Sequence, residues 1–153
     1  MIKNGVVREA NHAIFLAPYY VLLYTSFMTS IFTKIINGEI PAYKIYEDKY
    51  VVAFLDINPI QKGHTLVVPR KEVDYLFDLD PETYSKVMES TQYVAQILKV
   101  KLNCKRVCVI VEGYEIPHAH IKLIPANEAS DLRDIPQKAS DEELVEVYKK
   151  LTE

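Results

Sequence analysis

One stretch of the chain carries residues whose types and spacing point to chemistry: Pro117-His118-Ala119-His120-Ile121-Lys122-Leu123-Ile124-Pro125. Read as a β-strand, which alternates faces with period two, it sets His118, His120 and Lys122 on one side and Ala119, Ile121 and Leu123 on the other. Three nitrogen-bearing side chains in a row do not read as core packing. A neutral imidazole offers a nucleophilic nitrogen near pH 7, because its ordinary pKa is about 6.5. Two other readings compete. The first is an exposed sheet face that happens to carry two histidines. The second is a metal site, since His-x-His on a strand presents two ligands to zinc. A metal also needs a third ligand, and only His64 offers itself, provided the fold brings it near.

The elements that must position these residues are legible in outline. The chain has 153 residues, 49% of them apolar and 25% charged, which is the composition of one ordinary globular domain. Its net charge is -3, so no basic excess exists to hold a nucleic-acid backbone. Two cysteines, Cys104 and Cys108, make no disulfide framework, and a reduced cytoplasmic location is expected. Residues 1–27 differ from the rest. Ala13 to Tyr24 is apolar but shorter than the roughly 20 residues a bilayer span requires, and Pro18 interrupts it. We expect 1–27 to be an N-terminal extension, with Met28 as the natural start, and 28–153 to form a single domain.

Within that domain, Ser30 caps a short helix over Ile31 to Asn37 that stops at Gly38. Strands are expected at Tyr43 to Glu47, Val51 to Leu55, Thr65 to Pro69, Val107 to Val111 and His118 to Pro125. Asp80-Pro81 opens a long helix whose apolar stripe runs through Tyr84, Val87, Met88, Val94, Leu98 and Leu102. Ser140 and Glu143 form a capping box for a last helix. Short turns between most strands imply an antiparallel sheet with helices on one side.

The histidine segment resembles the signature of the histidine triad (HIT) family, His-x-His-x-His followed by apolar residues. The likeness extends to "IFTKIINGEIPAYKIYED" at Ile31 to Asp48 and to "VVAFLDINPIQKGHTLVVPRK" at Val51 to Lys71. The resemblance implies an α+β fold: a five-stranded antiparallel sheet with one long helix and shorter ones, continued across a two-fold homodimer. It also implies metal-independent, cofactor-free hydrolysis or transfer at the α-phosphorus of a nucleotide, through a nucleotidyl-histidine intermediate. On this resemblance His120 is the nucleophile, His118 orients the site and donates to phosphate, and His64 lies at the edge of the same pocket. Asp56 accepts hydrogen bonds from the ribose hydroxyls, a task suited to an ionised carboxylate. Phe32, Ile35, Phe54 and Ile57 match the residues that sandwich the base. Plain core is the competing reading for these four, and turn chemistry before Asn58-Pro59 is the competitor for Asp56.

Three departures from the family pattern stand out. Lys122 occupies the third histidine position; it accepts no hydrogen bond, and its charge attracts the α-phosphate and opposes protonation of His120. Glu112-Gly113-Tyr114-Glu115-Ile116 replaces a Gly-Gln-Ser/Thr-type stretch, so Glu115 is either a general acid or a solvent-facing side chain. Ser30 and Thr33 stand where many relatives carry a Cys-x-x-Cys zinc pair, so no structural zinc is expected. The expected function is hydrolysis of purine nucleoside phosphoramidates or dinucleoside polyphosphates, with no nucleic-acid or membrane partner. The alternative is a nucleotide-binding protein with little turnover because of Lys122 and Glu115.

Overall fold

In the computed structural model residues 29–153 are described, and the expected N-terminal extension, together with Met28, lies outside them. Strands β1 (Lys44–Glu47), β2 (Val51–Leu55), β3 (Thr65–Pro69), β4 (Arg106–Glu112) and β5 (His120–Ala126) build one sheet in the order β1-β2-β3-β5-β4. Every neighbouring pair is antiparallel. Among the described residues three α-helices accompany it: α1 (Ile31–Ile36), α2 (Pro81–Leu102) and α3 (Asp141–Thr152). This is the expected α+β, five-stranded arrangement.

Local chemistry explains the element boundaries. Ser30 caps α1, its hydroxyl accepting from the Thr33 amide at 3.1 Å. Asp80 caps α2 in the same way through Thr83, with Pro81 at the first helical position, and Asn103 closes the helix in the left-handed region. The Ser140–Glu143 capping box starts α3. Between β1 and β2, the Asp48 carboxylate accepts from the amides of Tyr50 and Val51 at 2.6 and 2.8 Å. It also accepts from Ser90 on α2 at 2.6 Å, which ties the hairpin to the long helix.

The expectation of helices on one side only is corrected. Val51, Ala53, Leu55, Val67, Ile121 and Leu123 pack against α2 and α3. On the opposite face Val52, Phe54, Leu66 and Val68 pack against Phe32 and Ile35 of α1. Every residue of β2 and β3 is buried, because the central strands are covered on both sides. Edge strand β4 is the exception: Val109 and Val111 are 52% and 39% exposed. Cys104 and Cys108 are both free thiols. Among the described residues no helix is long and apolar enough to cross a membrane.

Gly63 precedes His64 with φ +88°, and a Cβ there would overlap Leu102 Cδ1 on α2. Gly38, at φ +78°, has open space around the same position. We therefore expect Gly63→Ala to cost about 2 to 4 kcal/mol, from backbone strain plus overpacking. Gly38→Ala is expected to cost only the strain, about 1 to 2 kcal/mol. Urea denaturation of the two variants checks this, and equal losses would remove the packing argument.

Candidate active site

The face of the sheet beneath α1 gathers His118 and His120 against Phe32. Strand β5 begins at His120, two residues later than expected. His118 lies in the turn before it, where its amide donates to the Ile116 carbonyl at 2.8 Å, and the Ala119 amide donates to the Val73 carbonyl at 2.6 Å. The period-two argument therefore does not reach His118. Its ring is fully buried. Nε2 lies 2.8 Å from the Pro69 carbonyl oxygen, which can only accept, so Nε2 carries the proton. Nδ1 then accepts from the Ser30 hydroxyl at 2.6 Å. Both nitrogens are used inside the protein, and the expected donation from His118 to phosphate is corrected on that ground. His118 thus ties the Pro69 carbonyl to Ser30 at the start of α1.

Ser30 belongs to a wider clasp. Thr33 Oγ1 donates to the Glu72 carboxylate and lies 3.2 Å from Ser30 Oγ. The Ser30 amide reaches Glu72 at 3.4 Å. The first residues of α1, the segment after β3 and the turn before β5 are thus joined around one imidazole. Neutral hydroxyls at Ser30 and Thr33 do not fit zinc in place of two thiolates. Among the described residues no three His, Cys, Asp or Glu side chains are grouped as metal ligands. Both nitrogens of His118 are committed, which leaves neither free for the metal that a His-x-His pair would hold.

His120 is held from both sides. Its Nδ1 lies 2.9 Å from the His118 carbonyl oxygen, so Nδ1 donates and the neutral ring keeps its lone pair on Nε2. Phe32 packs edge-on against the ring at 5.1 Å between centroids. Of the described side chains, only His64 has a polar atom that is both wholly buried and unpaired. Among the described residues His120 Nε2 has no hydrogen-bond partner, and the residue is 7% exposed.

Lys122 is two residues further along the same face, directly opposite Ile110 on β4. Its ammonium does not stay there. It runs diagonally to the carboxylate of Glu112, the residue directly opposite His120. A diagonal of this kind is within reach of long side chains. The bond from Lys122 is the foremost influence holding the Glu112 carboxyl below its ordinary range, with His120 and His64 contributing to the same direction. Glu115 is exposed and makes no hydrogen bond among the described residues, which matches its solvent-facing reading.

His64, at the entry to β3, is also buried. Its Nδ1 accepts from the Ile60 amide at 3.2 Å, so Nε2 carries the proton and has no partner. Asp56 Oδ2 lies 3.7 Å from the same Nδ1, while Asp56 Oδ1 accepts from the Asn58 amide at 2.8 Å. Asp56 therefore makes the turn and still faces the histidine. Both residues line a cleft of about 620 Å³ closed by Arg133, Lys138 and Leu144 from the C-terminal segment. His120, Lys122 and Phe32 are not part of its wall.

The apolar residues divide. Phe32, Ile35 and Phe54 are buried together, with the two phenyl rings 5.7 Å apart, and they form the floor of the α1 layer. Phe32 also touches the edge of His118 at 5.9 Å. Ile57 is outside this cluster and 56% exposed.

Burial lowers the proton affinity of two of these rings. For His64 it outweighs the opposing pull of Asp56, and Lys122 and His120 add to it; for His118 it outweighs the bond to Pro69 and the charge of Glu72. The unfolded chain takes up protons at both positions below about pH 6.5, where the folded chain resists them. This contribution to stability is therefore complete above that pH and is lost as the pH falls below it. Urea midpoints measured from pH 7.5 to 5 should decline in this window, and His64→Phe should flatten part of the decline. A level profile in the parent protein would count against both assignments.

Sequence reasoning missed Glu112, Glu72 and the bond from Ser30 to His118. Only the register of β4 against β5 could reveal Glu112, eight residues before His120. Glu72 is set by a contact across 39 residues.

The sequence matches the HIT domain family over residues 37–129. An uncharacterized HIT-like protein of Methanocaldococcus jannaschii is 42% identical over 103 residues, 64% of this chain and 79% of that protein. Adenosine 5'-monophosphoramidase HNT1 of Saccharomyces cerevisiae is 35% identical over 99 residues, 64% of this chain and 63% of that protein. The crystal structure of a HIT-like protein from Bartonella henselae superimposes with a TM-score of 0.71 at 33% identity, covering 81% of this chain and 95% of that one.

Proposed function

The chain belongs to the HIT domain family, and from that premise we propose that it is a nucleotidyl hydrolase acting at the α-phosphorus of purine nucleoside phosphoramidates or dinucleoside polyphosphates. His120 Nε2 bonds to phosphorus as the bond to the leaving group breaks. Water then attacks the nucleotidyl-histidine, releases the nucleoside monophosphate and returns the neutral ring. Splitting one displacement into two lowers each barrier. The observation that carries this reading is the fixed tautomer of His120, with Nδ1–H given to the His118 carbonyl and the Nε2 lone pair left free.

The other site residues take roles around that nitrogen. His118 is the positioning group behind the nucleophile. Lys122 places a cation beside the α-phosphate, in the position of the third histidine. Asp56 receives the ribose hydroxyls, and His64 lies at the edge of the same pocket with its N–H buried beside it. Ile57 offers the exposed apolar contact for the base above the Phe32–Ile35–Phe54 floor. The mechanism asks for no metal or cofactor. The domain comprises residues 28–153, preceded by the 1–27 extension. The exposed valines on edge strand β4 support a two-fold homodimer in which the sheet continues from one protomer to its partner. The free thiols suit a cytoplasmic location.

The test is intact mass of the protein mixed with adenosine 5'-phosphoramidate. A transient gain of one adenylyl group, followed by release of the monophosphate, is the expected result. Binding without adduct or product would favour the alternative, a nucleotide-binding protein with little turnover.

A further inference from the structure

The reading of His120 as nucleophile leaves one requirement unmet: an alkylamine cannot leave phosphorus as an anion, so it must receive a proton as the P–N bond breaks. Lys122 and Glu112 are the groups placed to meet it. Glu112 is directly opposite His120 across the β4–β5 ladder, and Lys122 bends back across the sheet to reach it. The Lys122 ammonium is thereby drawn toward the row that holds the nucleophile, instead of extending over Ile110. The Lys122 side chain is mostly buried, and the charged or titratable groups on its face are Glu112, His120 and His64.

We propose that Lys122 carries the proton of the reaction, giving it to an alkylamine leaving group and recovering it from water, and that Glu112 is the positioning residue that holds the ammonium beside His120. This rests on the covalent reading above. In the first step Nε2 of His120 forms its bond to phosphorus, the P–N bond breaks, and the leaving nitrogen takes one proton from Lys122. Free amine departs, leaving Lys122 as a neutral amine and the nucleotidyl-imidazole as a cation. In the second step a water oxygen bonds to phosphorus and the P–Nε2 bond breaks, its electron pair returning to the ring. Lys122 takes the water proton. Phosphoramidate and water become monophosphate and amine, and the protein is unchanged.

The pairing also sorts the substrates. An ammonium and an alkylamine are conjugate forms of one chemical class, so a lysine and such a leaving group exchange a proton at little net cost. A phosphate leaving group, already anionic and weakly basic, needs no such donor. The device therefore favours nucleoside phosphoramidates of alkylamines over dinucleoside polyphosphates.

The experiment compares two adenosine 5'-monophosphate derivatives, an alkylamine phosphoramidate and the 4-nitrophenyl ester, whose leaving group departs without a proton. Single-turnover rates and intact mass are recorded for the parent, Lys122→Met, Glu112→Gln and Glu112→Asp. Lys122→Met should slow the ester about tenfold, through loss of the phosphate-facing charge, and the phosphoramidate about 10³-fold. Glu112→Gln should show the same bias at smaller size, with KM for the two substrates moved alike, and Glu112→Asp should recover part of it. Equal losses on both substrates, with the His120 adduct still forming, would overturn the proton role alone. Failure of the parent protein to form any adduct with the ester would overturn the covalent reading, and this inference with it.

Discussion

His120→Ala should lower phosphoramidate turnover by at least about 10⁴-fold and abolish the adenylyl adduct, while the protein stays folded. The size follows from the role: a reaction built on a covalent intermediate has no second route when its nucleophile is gone. The intact fold follows from the contacts. Among the described residues the ring makes one hydrogen bond, to the backbone carbonyl of His118, and packs against the edge of Phe32. A carbonyl freed by removal of the ring can bond to water instead, so the stability cost should be about 1 kcal/mol. Initial rates, intact mass and a denaturation curve on one preparation check all three statements. Residual turnover within tenfold of the parent would place the nucleophile elsewhere.

His118→Ala should do the reverse, costing stability first and rate second. The ring is fully buried and hydrogen-bonded at both nitrogens. Its removal leaves a cavity under Phe32, an unpaired carbonyl at Pro69 and a hydroxyl at Ser30 without its acceptor. Losses of this kind sum to about 3 to 5 kcal/mol. At temperatures where the variant remains folded, the carbonyl that fixes His120 is no longer anchored, and misplacement of the nucleophile should slow the reaction about 10²-fold. Calorimetry and rates measured below the variant's transition separate the two effects. A stable variant with a selective loss of phosphate binding would restore the direct role that the sequence implied for this histidine.

These two neighbours show what can and cannot be read from a sequence. The start of α2 was legible because Asp80-Pro81 is a local signal, and β3 because Thr65 to Pro69 is a short apolar run between turns. His120 and Lys122 share a face, as strand alternation requires. His118 does not follow it, since its amide turns back to Ile116 and the strand begins only at His120. The side occupied by α1 was invisible, because β2 and β3 are buried on both faces and show no alternation. Phe32, Ile35 and Phe54 are packed as a layer under the helix, so residues matched to a base pocket also serve as core. Glu112 and Glu72 acquire their places from strand register and tertiary contact, which no window of neighbouring residues contains.

The two coverings of the sheet are unequal. Among the described residues one is made by 22- and 12-residue helices, the other by a helix of six residues pinned through hydroxyls and a carboxylate. The heavier covering holds most of the core, while the lighter one lies over His118 and His120. The former can keep the architecture while the latter is rewritten, so drift in α1 and in the rim facing it is the cheapest way for such a scaffold to exchange one small-molecule client for another.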